Sequence, residues 1–237
     1  MYNQNRERRQ GFALMLLFGQ MAQIGFDQIP PVTLVMILGQ VAIFLRLFKL
    51  PFRFDVEASC ISALHVWYRE DYLRLILGAL QHADEWHLYY NMVSMLWKGR
   101  KLEQKMGSVK FAVLLLIFTP LVGITLLLLT VLSELTTNDS MYISQCHVGF
   151  SGVLFALKVL VNHFEPDSSH IVMGIIPVSS KYICWVELVL IHFLVPNSSF
   201  LGHLAGILVG VWYIHGPLLS SIIDALSQPL KGILINS

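Results

Sequence analysis

The chain has 237 residues, of which 55% are hydrophobic and 13% charged, and its formal net charge is +1. Soluble domains carry about 25% charged residues, so this composition excludes an ordinary water-soluble domain and points to a lipid bilayer. Sixteen Lys and Arg against fifteen Asp and Glu leave no face basic enough to neutralise several phosphates, which excludes a nucleic-acid partner.

In chain order, Arg6, Arg8 and Arg9 precede an apolar run that Gln20 and Gln23 interrupt. No small-residue cleavage site follows, so no cleavable signal peptide is expected. The length and glutamines of 11–26 predict a helix lying in the membrane interface. A spanning helix needs about 20 mainly apolar residues, and six spans are predicted, several of them short or polar, at 31–48, 84–98, 111–132, 150–164, 171–194 and 200–216. The third, "FAVLLLIFTPLVGITLLLLTVL", contains no charge. The tail 217–237 is expected to form a short amphipathic helix with Leu218, Leu219, Ile222, Ile223 and Leu226 on one face.

Lys and Arg in short loops set orientation. The N-terminal arginines and the loop 98–110 hold eight of the sixteen basic residues, while 133–148 and 195–199 hold none. Both termini are therefore expected to be cytoplasmic. The long loop 49–83, with Lys49, Arg53, Arg69 and Arg74, falls on the other side against its charge, as long loops do.

Spans two, four and six then all begin on the non-cytoplasmic side, at "HADEWHLYYN" (82–91), "GFSG" (149–152) and "GHLAGILVG" (202–210). Polar groups inside spans are costly and usually functional. His203, Gly206 and Gly210 share one helix face, and the Gly206/Gly210 pair permits close backbone approach. Gly152 and Ala156 offer a matching small pair. If the two faces meet, Ser151 comes within reach of His203, as a nucleophile and its base require. Alone, the same motif describes simple helix packing. His87 and Asn91, four apart on one face, are candidate oxyanion donors with the backbone N–H of Ser151. Alone, that pair equally describes an interhelical hydrogen bond.

Together these strings resemble the rhomboid intramembrane serine proteases, whose pattern is H-x-x-x-N on the second span, G-x-S-G at the fourth and H-x-x-G-x-x-x-G on the sixth. The resemblance covers roughly residues 10–217. It implies an all-α membrane protein, a rhomboid-type six-transmembrane-helix bundle with a long first non-cytoplasmic loop and an N-terminal interfacial helix. The corresponding organisation is 1–30 for the basic segment and interfacial helix, 31–216 for the core and 217–237 for the tail. It further implies Ser151 as nucleophile, His203 as general base and later acid, and His87 and Asn91 as oxyanion groups. His82 matches a position near the site, and Arg74 and Glu103 match structural positions. Phe155 matches an aromatic that stacks on the catalytic histidine, where many rhomboids carry tyrosine. Gly149, Gly206 and Gly210 support the site by admitting close backbone approach.

No carboxylate lies near His203 in sequence, so a dyad is expected, with no metal and no cofactor. The activity implied is cleavage of transmembrane helices of client proteins in the endoplasmic reticulum membrane, in membrane-protein quality control. The rival is a non-catalytic, derlin-like role in recognising or dislocating misfolded membrane proteins; derlins lack the serine and histidine present here.

Other polar residues have plainer readings. His147, four before Ser151, is a weaker candidate base because nothing in the packing positions it. Lys158 lies two turns, roughly 10 Å, from Ser151 and is expected to pair with Glu187. His192 is a buried-polar candidate, while His65, His163, His170 and His215 are expected to be solvated. Asn138 and Asn197 begin glycosylation sequons on the non-cytoplasmic side, where Cys60 and Cys146 can meet. Similar rhomboids carry a long tail with ubiquitin- and unfoldase-binding motifs. With this sequence ending at Ser237, coupling to either is not expected.

Overall fold

The computed structural model describes residues 11–48, 54–166, 169–172, 176–195 and 198–235. Arg6, Arg8 and Arg9, Lys49 and Arg53, and the sequon residue Asn197 lie outside them.

The helix Glu85–Met106 (α6) organises the first half of the chain. Before it come α1 (Phe12–Ile24), α2 (Pro31–Phe44) and three short helices of the long loop, α3 (Val56–Ser59), α4 (Ala63–Val66) and α5 (Arg74–Leu80). The Asp84 carboxylate accepts the His87 N–H at 2.8 Å and starts α6; Gly107, at φ +84°, stops it. Two α6 carboxylates supply caps to neighbouring helices, where the first N–H groups lack partners. Glu85 accepts from Leu14 N–H at 3.1 Å. Glu103 accepts from Val32 N–H at 2.9 Å, Thr33 N–H at 2.7 Å and the Thr33 hydroxyl at 2.8 Å. The structural position read for Glu103 is thus a cap on α2, whose start Pro31 pre-sets. Gln20 on α1 donates to the Tyr89 hydroxyl at 3.0 Å, so the glutamine that breaks the apolar run is a contact to α6.

Helix α7 (Ser108–Thr137) has 30 residues, about 45 Å of length against a hydrocarbon core of about 30 Å. Among the described helices it is the one long and apolar enough to cross a membrane by itself. After α8 (Met141–Ser144) comes α9 (Ser151–Phe164), the expected fourth span, which has 14 residues, about 21 Å, shorter than the hydrocarbon core. It is instead the central helix, almost wholly buried among α6, α7, α10 (Ser180–Leu194) and α11 (Phe200–His215).

The expected fifth span, 171–194, is corrected. An antiparallel hairpin of β1 (Ser169–Val172) and β2 (Ile176–Ser179) occupies its start, with His170 opposite Val178 and Ile171 opposite Pro177. The helix begins only at Ser180. Pro177 would break a helix running from 171, whereas β-branched Ile171, Val172, Ile176 and Val178 favour extended backbone. The last helix, α12 (Pro217–Ile235), turns 80° from α11. Its expected single apolar face divides: Leu219 and Ile223 are buried, while Leu218, Ile222 and Leu226 are exposed. Lys110 at the start of α7 pairs with Asp224 on α12.

The long loop is a built structure. Arg74 donates to the carbonyls of Glu57 at 2.9 Å and Cys60 at 3.0 Å, and its Nε to Asp71 at 2.7 Å, so its structural position closes the C-terminus of α3. Cys60 is disulfide-bonded to Cys146. Next to that bond, Ile61 and His147 exchange backbone hydrogen bonds at 2.8 and 2.9 Å. The loop is thereby fastened to the segment that leads into α9.

Candidate active site

Ser151 is the first residue of α9, and His203 stands in the first turn of α11. The helices are brought together by the small residues on their facing sides. A Cβ on Gly206 would fall on the Gly152 carbonyl oxygen, and one on Gly210 would lie 2.8 Å from Val159 Cβ and 2.9 Å from the Ala156 carbonyl oxygen. Seen from α9, a Cβ on Gly152 would lie 2.9 Å from the Gly202 carbonyl. Backbone therefore rests on backbone here, as small-residue pairs allow in lipid.

At that distance His203 Nε2 lies 3.0 Å from Ser151 Oγ, within the range for proton transfer between a base and a nucleophile. The Phe155 ring, one turn along α9, stacks on the imidazole at 4.5 Å between centroids and 25° between planes. Among the described residues His203 Nδ1 has no hydrogen-bond partner. The contacts on the imidazole are thus Ser151 and the Phe155 ring, and ring stacking and helix packing orient it.

An ion pair sets the depth of the site. Lys101 on α6 binds Glu165, just past α9, at 2.8 Å. Fourteen residues separate Ser151 from Glu165 and fourteen separate His87 from Lys101, so Ser151 and His87 stand level, about 21 Å along their helices from that pair. A Cβ on Gly149 would lie 2.6 Å from His87 Nε2 and Cε1, so His87 packs on the backbone two residues before the serine. Gly149 has φ +112°, a conformation open to glycine. Position 149 thus needs glycine twice over.

Asn91, buried one turn below His87, donates from Nδ2 to the His87 carbonyl at 2.7 Å. An amide nitrogen has two N–H groups, so one donor remains beyond this bond. His82 is 3% exposed and meets His87 edge-on, with centroids 5.1 Å apart. Burial first, and His87 second, push the His82 imidazole down to about 3, so it is neutral near pH 7. A cavity of about 450 Å³ reaches His82 from the loop side, bordered by Arg46, Asp55, Glu57 and Gln81. A smaller one, about 30 Å³, lies behind the serine and is lined by Ser151, His147, Ser199, Gly149 and Thr119 among others.

The remaining polar candidates separate clearly. Lys158 pairs with Glu187 at 2.9 Å and is taken up there, away from Ser151. His192 is exposed, against its expected burial, and its ring meets Phe200 edge-on at 5.2 Å. His163 and His215 are exposed, as expected for solvated groups; His65 is half-buried and bonded to Ser62 at 2.7 Å. The His170 side chain lies outside the described residues. Asn138 ends α7 in an exposed left-handed turn. Two contacts escaped the sequence reading. Lys98 donates to Ser94 at 2.8 Å and sits 6.0 Å from the Phe155 ring centre. His147 bonds Ser199 at 2.8 Å; only its four-residue spacing from Ser151 hinted at a place near the site.

Comparison with known proteins agrees in family. A Rhomboid domain match covers residues 69–218. The chain is 47% identical to Rhomboid-related protein 4 of Mus musculus and 45% identical to that of Homo sapiens, each over 91% of this chain and 66% of the relative. It thus spans just under two thirds of the length of those relatives. It is also 38% identical to Rhomboid-like protein 14, mitochondrial, of Arabidopsis thaliana, over 98% of this chain and 71% of that protein.

Proposed function

The chain belongs to the rhomboid family of membrane proteins, and from that premise we propose that it is an intramembrane serine endopeptidase acting on transmembrane helices of other proteins. The observation that carries this reading is the 3.0 Å contact between Ser151 Oγ and His203 Nε2 under a stacked Phe155.

The chemistry follows from those groups. His203 Nε2 takes the Ser151 hydroxyl proton as Oγ attacks the scissile carbonyl carbon, because a serine hydroxyl is a weak nucleophile without a base. Charge gathers on the carbonyl oxygen, within the reach proposed for the Ser151 N–H, the remaining Asn91 N–H and His87; one such donor is worth about 10²–10³ in rate. The imidazolium returns its proton to the leaving amine, and an acyl-enzyme on Ser151 remains. Water then attacks with His203 again as base, releasing the carboxylate product and restoring the hydroxyl. Residues 81–83, beside the larger cavity, give water a polar approach to His87. A substrate helix must unwind locally, since its peptide bonds are otherwise shielded.

The reading places the Ser151 side in an oxidising lumen, that of the endoplasmic reticulum, with both termini cytoplasmic. The Cys60–Cys146 bond on that side supports this, because disulfides persist in the secretory pathway. So does the exposed sequon at Asn138. Membrane-protein quality control is the proposed setting, with transmembrane clients as substrates; coupling to ubiquitin or an unfoldase forms no part of the proposal.

The test is cleavage of a reporter transmembrane helix by the protein in liposomes. Cleavage present in the parent and lost in Ser151→Ala and His203→Ala supports the protease. An intact reporter in all three, with reporter still bound, supports the derlin-like reading.

A further inference from the structure

Two Ser–His pairs stand one above the other at the mouth of the site. Ser151 faces His203, and four residues earlier on each segment His147 faces Ser199, at 2.8 Å from Nδ1 to Oγ. Both pairs are separated by 52 residues, so they form two rungs in register with the residue types exchanged. The upper rung differs in its attachments. Ser199 is the N-cap of α11: its Oγ accepts the Gly202 N–H at 2.9 Å and its carbonyl accepts the His203 N–H at 3.0 Å. Beyond the Gly202 bond, Oγ keeps its O–H and a second lone pair, so it bonds His147 Nδ1 in either tautomer of the neutral ring. On the other side, His147 is fixed by the two backbone bonds to Ile61, beside the Cys60–Cys146 disulfide, and Gly149 N–H donates to the Gly78 carbonyl at 2.8 Å.

We propose that His147 is a positioning residue for the dyad: by holding the Ser199 cap it fixes the first turn of α11, and with it the depth and rotation of His203 against Ser151. This rests on the protease reading above. His147 is 6% exposed, and burial lowers its imidazole to about 4. The ring therefore stays neutral near pH 7, and no buried charge stands against the Ser199 cap. A bond between rigid ends transmits position. The loop, the serine segment and the histidine helix meet at this side chain.

The experiment measures fluorophosphonate labelling of the full chain in liposomes, separating the maximal labelling rate from the reagent affinity. His147→Phe preserves ring bulk without the ring nitrogens. It is expected to lower the maximal rate about ten- to a hundredfold, the scale on which small displacements of reacting groups act, with affinity unchanged. In His147→Asn, Oδ1 stands near the place of Nδ1 and most of the rate returns. The double variant with Ser199→Ala is no slower than the slower single variant, because both remove the His147–Ser199 bond, Ser199→Ala taking the Gly202 cap bond with it. A parental rate in His147→Phe, no recovery in His147→Asn, or multiplying losses in the double variant overturns the proposal. A second arm needs no catalysis: Ser199→Ala should shift the imidazole ¹⁵N resonances of both His147 and His203. If the parent labels no faster than Ser151→Ala, the protease reading fails, and an unmoved His203 resonance separately sinks the positioning role.

Discussion

The Phe155 ring is stacked on the face of the His203 imidazole, 4.5 Å between centroids and 25° between planes, while the ring-edge Nδ1, which a triad carboxylate would hold, has no partner among the described residues. An offset-stacked aromatic pair is worth about 0.5–1.5 kcal/mol beyond its buried area, modest for stability but directed at one ring. Phe155→Leu, which keeps bulk and loses the planar face, should therefore slow reporter cleavage about two- to tenfold. Initial rates at saturating reporter would show it, with thermal stability near that of the parent. An unchanged rate would mean that the imidazole is oriented by something other than this ring.

Gly206 makes a sharper prediction, because a Cβ there meets the Gly152 backbone. Backbone cannot step aside as a side chain can, so Gly206→Ala must part α9 from α11 and lengthen the Ser151–His203 contact. Overpacking of this kind costs about 1–3 kcal/mol, and activity should fall further than stability. Gly39→Ala is the control: a Cβ there meets nothing within 4 Å, and removing a helical glycine should stabilise by about 0.5–1 kcal/mol. Paired melting curves and cleavage rates test both.

The disulfide closes a loop of 86 residues in sequence separation. The chain-entropy account of such a loop gives a stabilisation of about 4–5 kcal/mol. Cys60→Ala and Cys146→Ala should each lower the melting temperature by the same amount, and the double variant no further. The parent treated with reductant should approach the variants.

Two buried histidines give the pH dependence a sign. Burial lowers His147 to about 4, and burial with His87 lowers His82 to about 3, from an ordinary 6.5. Between the ordinary and the lowered values the unfolded chain binds protons that the folded chain refuses, so stability is present above about pH 6.5 and falls as pH drops towards 4. Each site contributes on the order of a few kcal/mol. Melting temperature measured from pH 7.5 to 4 should decline over that window, and less steeply in His147→Asn.

Much of this was legible in the sequence, for identifiable reasons. Gly206, Gly210, Gly152 and Ala156 announce a close helix contact because only small residues permit one, and that contact carries Ser151 to His203. The start of the fifth span is not legible because hydropathy alone does not separate a β-branched hairpin at 169–179 from the top of a helix; Pro177 is the usable sign. His147 was set aside because its partner, Ser199, is 52 residues away in sequence, and such a pair has no periodicity to reveal it. The caps made by Glu85 and Glu103 were illegible likewise, since a carboxylate on one helix gives no sign of which distant N–H groups it will meet.

The most direct measurement is the rate at which a serine-reactive fluorophosphonate modifies the 237-residue chain in liposomes, with the modified residue located by peptide mass. The account predicts modification at Ser151, abolished in Ser151→Ala and reduced at least a hundredfold in His203→Ala, the scale set by loss of a general base. Equal modification of the parent and His203→Ala, or none in the parent while it still binds a transmembrane helix, would contradict it.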